Sequence, residues 1–158
     1  MEFADILNEL NAAMVVDVFK DNGSGECRVK VEGLTVMLMD VPEARRMLTT
    51  AEIGPVPEAG RDQFYSSMLE AMHMFEGTNG ASFSIDHESQ TICLARQDST
   101  ALLEPGQFAV LFEEFVNIGM MWRKMLLEFV PVMKEVDSLA SREQASDEAP
   151  KSSGFIRI

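Results

Sequence analysis

Large apolar side chains recur every three or four residues near the end of the chain, between residues 104 and 129. The positions are Phe108, Leu111, Phe112, Phe115, Gly119, Trp122, Leu126 and Phe129. This spacing puts them on one face of an α-helix of about seven turns. Pro105 suits the first helical position, and Pro131 marks either the far end of the helix or a kink in it. A stripe of this size must be buried against something large. We therefore predict a sheet built from the rest of the chain, with Phe108, Phe112, Phe115 and Trp122 in the core.

The segments before this helix show both helical and strand-like patterns. Phe3, Ile6, Leu7, Leu10 and Met14 predict a first helix, and Phe64, Met68, Met72 and Phe75 predict a second, with Asp62 as its N-cap. Strands are predicted at residues 27–31, at 34–41 and within 46–53, the third closed by Gly54 and Pro55. Residues 81–86 and 91–96 form a hairpin across the turn at 87–90. The result is an α+β fold, an antiparallel twisted sheet of about five strands with three main helices in the order α-βββ-α-ββ-α.

The second predicted strand is apolar on both faces. Leu34, Val36 and Leu38 share one face, and Met37 and Met39 lie on the other. A single layer of helices covers only one of them, so the other is free to bind something.

Length and charge limit the classes of function. The 158 residues are 46% apolar, enough for one domain over residues 1–133, followed by an acidic, Ser-rich tail over 134–158 with a short strand-like end. The net charge is −13. An acidic surface repels nucleic acids and anionic lipids, so those partners are disfavoured unless the protein is a DNA mimic. Neutral or basic protein partners are expected.

The chain offers no targeting signal and no membrane span, so we expect a cytoplasmic protein. Cys27 and Cys93 fall in predicted strands without metal-binding spacing, which favours two buried, reduced thiols over a disulfide. Twelve Met residues fit a surface that adapts to varied apolar partners, although ordinary core packing also accounts for many of them.

No arrangement of residues predicts catalysis. Asp86, His87 and Glu88 are consecutive in a turn and do not converge on one ion, and His73 lies alone in the second helix. Residues 77–80 close a helix, the wrong end for a phosphate. We expect no enzyme activity, no metal and no cofactor.

Several short segments, taken in order, resemble the type III secretion chaperones of the Tir chaperone (CesT) family. Leu69, Glu70 and Ala71 ahead of Phe75, then residues 77–81 running into Phe83, Ile85 and Asp86, look like the family's junction from the second helix to a strand. Residues 91–94 look like the next strand, and 53–57 like the exit from the third. Phe115, Val116, Trp122, Arg123 and Leu126 are similar to the closing helix. Met72, where the family often has Asn, and the polar residues 97–100 depart from the pattern.

The resemblance implies a homodimer without catalytic activity that binds an extended N-terminal segment of a secreted effector. The physics of strand addition at a free sheet edge, beside apolar pockets, suits the same activity. We predict effector-binding pockets from Leu7, Leu10, Met14, Met37 and Met39. A dimer interface is predicted from Phe64, Met68, Met72, Ile92 and Leu94.

Other hypotheses stay open. The chain also fits a small acidic regulator of YbjN-like architecture that binds another cytoplasmic protein, or a DNA mimic. The tail adds a hypothesis of its own. Phe155, Ile156, Arg157 and Ile158 are strand-like, and we expect them to lie on an edge or pocket of a neighbouring subunit in place of an effector.

Overall fold

A computed structural model describes residues 1–132 of the chain. In this part the helices and strands follow in the order α1 (Phe3–Met14), β1 (Glu26–Val31), β2 (Leu34–Val41), β3 (Arg46–Pro55), α2 (Arg61–Met72), β4 (Ser82–Asp86), β5 (Thr91–Ser99) and α3 (Gln107–Leu127). The five strands form one antiparallel sheet in the order β1-β2-β3-β5-β4. The predicted fold class and element order are confirmed.

Within residues 1–132 the sheet has a buried inner face and an outer face on which many side chains are half-buried. Across the strands Val29, Val36, Ala51, Leu94 and Phe83 are successive partners, so they share the inner face. The inner face comprises Cys27, Val29, Leu34, Val36, Leu38, Met47, Thr49, Ala51, Ile53, Ile92, Leu94 and Arg96, each at most 8% exposed. All three helices contribute buried side chains to the same core.

Helix α3 forms the centre of that core. Phe108, Phe112 and Phe115 are at most 1% exposed, and Trp122 is 3% exposed. The Trp122 ring packs edge-on against Phe83, with centroids 4.7 Å apart, and its Nε1 donates a hydrogen bond to the Gly77 carbonyl at 3.2 Å. The four residues that the sequence analysis assigned to the core therefore lie in it, and Trp122 also holds the turn after α2.

A side chain from α1 caps the N-terminus of α3. The two carboxylate oxygens of Glu9 accept hydrogen bonds from the backbone N–H groups of Gly106 at 2.9 Å and Ala109 at 3.1 Å. A carboxylate is favoured there by the unpaired N–H groups and by the helix dipole. The contact joins elements about 100 residues apart and ties α1 to the start of α3.

Helix ends differ from the predictions where local turns compete. Helix α3 begins at Gln107 rather than at residue 104, because Gly106 adopts a left-handed conformation (φ 82°) as the N-cap and Pro105 stays in the preceding turn. The N-cap of α2 is Gly60, not Asp62. Helix α2 ends at Met72, before Phe75, because Met74 and Phe75 have positive φ.

Two strands run further than predicted. β3 continues to Pro55 through an irregularity between Glu52 and Gly54, and Pro55 is paired in register with Thr91. β5 continues to Ser99 because residues 97–99 pair with residues 46–48 of β3. The polar residues 97–99 are therefore mostly strand.

No helix within residues 1–132 is long and apolar enough to cross a membrane. Cys27 and Cys93 are free; Cys27 faces the core and Cys93 is half-buried on the outer face. The tail over residues 134–158, including Phe155, Ile156, Arg157 and Ile158, lies outside the described residues.

Candidate functional site

The five residues predicted to bind a partner do not form one surface. Leu7 is 4% and Leu10 0% exposed, so their assignment to a surface pocket is wrong: they belong to the apolar stripe of α1, and that stripe is buried in the common core beside α3. Met14, at the end of α1, is 40% exposed. Met37 and Met39 are half-buried on the opposite, outer face of the sheet. Two separate surfaces therefore remain as candidates.

The first surface is a groove between α1 and α3, which we call the α1–α3 groove. It is lined by Glu9, Ala13, Met14, Val31, Glu32, Gly106, Ala109, Val110, Phe112, Glu113, Val116 and Asn117, and its volume is about 650 Å³. Val110 is 56% exposed in its wall. The Glu9 cap sets the distance between the two helices, and the turn between β1 and β2 closes one side.

The second surface is the outer sheet face. Met39 lies directly opposite Leu48, and Met37 is opposite Thr50, so Met37, Met39 and Leu48 form an apolar strip across β2 and β3. The neighbouring depression holds about 460 Å³ and is lined by Arg28, Thr35, Met37, Thr50, Glu52, Asp86, Ser89, Thr91 and Cys93. An ion pair between Arg28 and Glu52 crosses β2 at this depression. The strip is therefore apolar with a charged rim.

Strand β1 is an edge strand, because within residues 1–132 it pairs only with β2. Val31 and Leu34 are the last pair before a two-residue turn in which Glu32 (φ 49°) and Gly33 (φ 88°) take the left-handed conformations of a type I′ hairpin. In such a hairpin Val31 exchanges both hydrogen bonds with Leu34, so the backbone groups of Arg28 and Lys30 point away from β2. The loop before β1 occupies the Glu26 backbone: its carbonyl accepts from the N–H of Asn22 at 2.8 Å, and its N–H donates to Asn22 Oδ1 at 3.4 Å. An added strand can pair with the rest of the edge.

Four of the five predicted dimer residues are buried inside the subunit, which contradicts their assignment to an interface. Phe64, Met68, Ile92 and Leu94 are 2%, 5%, 0% and 0% exposed. The stripe of α2 faces the core of its own subunit, where the centroids of the Phe64 and Phe129 rings are 5.1 Å apart. The inner face of β5 is buried in the same core. Only Met72 is half-buried; its Sδ contacts the Phe83 N–H at 3.5 Å.

Other apolar side chains are exposed on α2 and the elements beside it. Leu69 on the outer side of α2 is 68% exposed, and Met74 and Phe75 in the following turn are 76% and 51% exposed. Ile85 on the edge strand β4 is 40% exposed. We call Leu69, Met74, Phe75 and Ile85 the α2–β4 surface.

Three titratable groups of the described residues have pKa values shifted by their local surroundings. Hydrogen bonds from the Ser89 hydroxyl (2.7 Å) and the Glu88 N–H (3.0 Å) lower the pKa of Asp86, as expected for a carboxylate that holds a hairpin turn. Burial raises the pKa of both Cys27 and Cys93, which keeps the thiols protonated. Among residues 1–132 no group of three His, Cys, Asp or Glu side chains is placed to hold a metal.

Sequence reasoning missed several lining residues because each looked ordinary in its own element. Val31, Glu32 and Val110 come from a strand, a turn and a helix, and only the packing of α1 against α3 brings them together. Leu69 could have been noticed, since it lies beside the stripe of α2 and not within it. Val15 and Val16, which follow α1, could have been noticed in the same way, since they lie outside its apolar stripe; they are 89% and 42% exposed.

The fold defines a class of protein: a small α+β domain in which, within the described residues, β1 is an edge strand and a groove lies between α1 and α3. The model of the Tir chaperone protein (CesT) family matches residues 5–123, from α1 into the second half of α3, and the chain belongs to this family. No curated protein sequence matches the chain significantly.

Solved structures agree with this fold. A chain of the ExsC–ExsE complex matches with a TM-score of 0.64 and 18% identity, over 77% of this chain and 90% of that one. A chain of the complex between the Yersinia pestis type III secretion chaperone SycH and a stable fragment of YscM2 matches with a TM-score of 0.60 and 16% identity, over 77% and 99%. For the ExoU–SpcU complex of the Pseudomonas aeruginosa type III secretion system the TM-score is 0.59 at 12% identity, over 75% and 94%.

Proposed function

We propose that this protein is a non-catalytic cytoplasmic chaperone that binds an extended N-terminal segment of a type III secreted effector and keeps that segment ready for export. The observation that carries the proposal is the family match over residues 5–123, which spans most of the sheet and helices. The similar structures named above include complexes of a secretion chaperone with a bound protein fragment.

The geometry of β1 supports binding of an extended segment. Main-chain hydrogen bonds to an exposed strand supply affinity without requiring a particular sequence, and neighbouring pockets supply selectivity. A strand paired with Arg28 and Lys30 would extend the sheet past β1, and Val31 at the end of β1 lines the α1–α3 groove. One continuous segment can therefore use the edge and the groove together.

The α2–β4 surface supports a homodimer. Leu69, Met74, Phe75 and Ile85 are exposed apolar side chains on adjoining elements, and such surfaces in soluble proteins commonly mark interfaces. This surface replaces the buried residues that the sequence analysis proposed. It lies at the β4 edge, away from β1, so a dimer formed there leaves both β1 edges open.

The test is capture of partners by the tagged full chain from its native cytoplasm, followed by limited proteolysis and mass spectrometry of the protected fragments. We expect a protected segment near the N-terminus of an exported protein. Recovery of folded cytoplasmic proteins alone, with no protected segment, would refute the chaperone function.

A matched pair of variants tests the edge. Lys30→Pro removes an N–H that points away from β2, whereas Lys30→Ala removes the charge and keeps the N–H. With the captured segment, Lys30→Pro should weaken binding by about fivefold or more, the equivalent of at least one lost main-chain hydrogen bond, and Lys30→Ala should change it little. Circular dichroism checks that both variants fold. Equal binding by both would reject strand addition at β1 and leave the chaperone function standing.

A further inference from the structure

The α1–α3 groove combines an apolar floor with charged side chains that are all carboxylates. Its apolar lining comes from Ala13, Met14, Val31, Ala109, Val110, Phe112 and Val116. Its charged lining residues are Glu9, Glu32 and Glu113, and no Lys, Arg or His from the described part of the chain lines it. The volume of about 650 Å³ is in the range of pockets that take several side chains of a ligand.

The three carboxylates are not equivalent. Both oxygens of Glu9 already accept hydrogen bonds from the start of α3, so its charge is offset by the helix N-terminus. Glu32 and Glu113 are exposed and take part in none of the salt bridges found among residues 1–132. Both line the groove, Glu32 from the β1–β2 turn and Glu113 from α3. Two uncompensated negative charges therefore flank the apolar floor.

We infer that this groove selects an apolar segment of the partner that carries Lys or Arg beside its apolar residues, with Glu32 and Glu113 as the selecting side chains. The inference rests on the proposed function and names the chemistry of its partner. Apolar residues fill the floor, and a flanking cation meets the two carboxylates. A second copy of the described domain is a poor occupant, because residues 1–132 carry a net negative charge and the negatively charged groove would repel them.

Glu32 has a backbone conformation that glutamate rarely adopts. Its φ of 49° is one that side chains other than Gly, Asn and Asp rarely adopt, and Gly or Asn would fit this turn position better. Glu32 nevertheless occupies this turn position and lines the groove. Glu32→Asn therefore should not weaken the fold, which makes it a clean way to remove the charge.

The test uses two synthetic peptides of one alternating Leu–Ser sequence, one flanked by Lys and the other by Gln. Each carries a fluorescent label, and binding to the full chain is followed by anisotropy. We expect the Lys-flanked peptide to bind about five- to tenfold more tightly at low salt, from two exposed ion pairs, and the preference to shrink at about 0.5 M salt. Val110→Ser should weaken binding of both peptides, because it acts on the apolar floor.

Charge variants assign the preference to the groove. Glu32→Asn/Glu113→Gln should abolish it, and Glu32→Lys/Glu113→Lys should reverse it toward a Glu-flanked peptide. The matched control, Glu43→Gln/Glu88→Gln, removes two exposed carboxylates that do not line the groove and should preserve the preference.

Failure of the wild type to bind either peptide would overturn the inference, and so would a preference that the control variant lowers as much as the groove variant does. Neither result touches the chaperone function, which depends on the capture of an exported protein.

Discussion

Gly119 is buried where α3 packs on Leu34 of the sheet, and a Gly119→Ala substitution measures how tight that contact is. A Cβ at this position would lie 2.7 Å from Leu34 Cδ2 and 3.8 Å from Ile53 Cδ1. Leu34 and Ile53 are 0% and 1% exposed, so the Leu34 side chain is surrounded and cannot simply swing aside. Glycine is therefore required here by packing.

Two opposing effects decide whether Gly119→Ala raises or lowers the free energy of unfolding. Alanine gains about 1 kcal/mol over glycine in a helix interior. Forcing an extra methyl group into a filled core costs about 1–3 kcal/mol. We expect Gly119→Ala to lower the free energy of unfolding by about 1 kcal/mol, although the same change at an open helix position would raise it.

A second substitution removes the clash and should reverse the sign. Leu34→Ala alone should cost about 2–5 kcal/mol, because it leaves a cavity under α3. In that background Gly119→Ala should stabilise the protein by about 1–2 kcal/mol, since helix propensity remains and the methyl group fills part of the cavity. The expected coupling of about 2–3 kcal/mol exceeds the error of additivity for independent sites.

Urea unfolding followed by circular dichroism gives the free energies, at several protein concentrations so that any dimer contribution is separated. Asn117→Ala is the control, because Asn117 is exposed two residues away on the same helix and only helix propensity changes there. Stabilisation by Gly119→Ala in the wild-type background, or equal effects of Gly119→Ala in the wild-type and Leu34→Ala backgrounds, would refute the tight contact.

Two further predictions concern buried polar groups. Arg96 Nε and Asp98 Oδ2 are 3.0 Å apart, and the two side chains are 8% and 14% exposed. Asp98→Ala should therefore lower the free energy of unfolding in urea by about 3 kcal/mol, because it leaves the guanidinium unpaired, whereas Arg96→Met/Asp98→Leu should cost clearly less. Equal losses would show that pairing of the buried guanidinium is not what Asp98 contributes. Iodoacetamide should modify Cys93 but not Cys27 in the folded protein, because Cys27 is 1% exposed. Burial raises the pKa of Cys93, so the rate at which iodoacetamide modifies it should keep rising with pH past about 8.5, the usual pKa of a thiol. A rate that reaches a plateau below that pH would contradict the raised pKa.

Periodicity predicted which elements form and which side chains of α3 are buried. The stripe through Phe108, Phe112, Phe115 and Trp122 is read from spacing alone, because a helix with so wide an apolar face has few alternatives to burial. The ends of elements were less predictable. Gly106 and Gly60 take the N-cap positions through backbone conformations that no side-chain pattern announces.

The binding surfaces were predicted only in part. The two apolar faces of β2 indicated an open sheet face, and Met37 and Met39 do lie on it. The same reasoning failed for Leu7 and Leu10, because an apolar stripe on a helix has the same pattern whether it meets its own sheet or a partner. The distinction depends on how many helices share the inner face, which is a property of the packed structure.

By itself, the sequence determined that this chain forms an acidic α+β domain with a buried aromatic helix, since local periodicity and charge are encoded residue by residue. The tertiary structure decided what remained exposed. Glu9 reaches α3 across about 100 residues and sets the α1–α3 groove, and the strand order leaves β1 at an edge. Such features arise from contacts between distant segments, so no local pattern carries them.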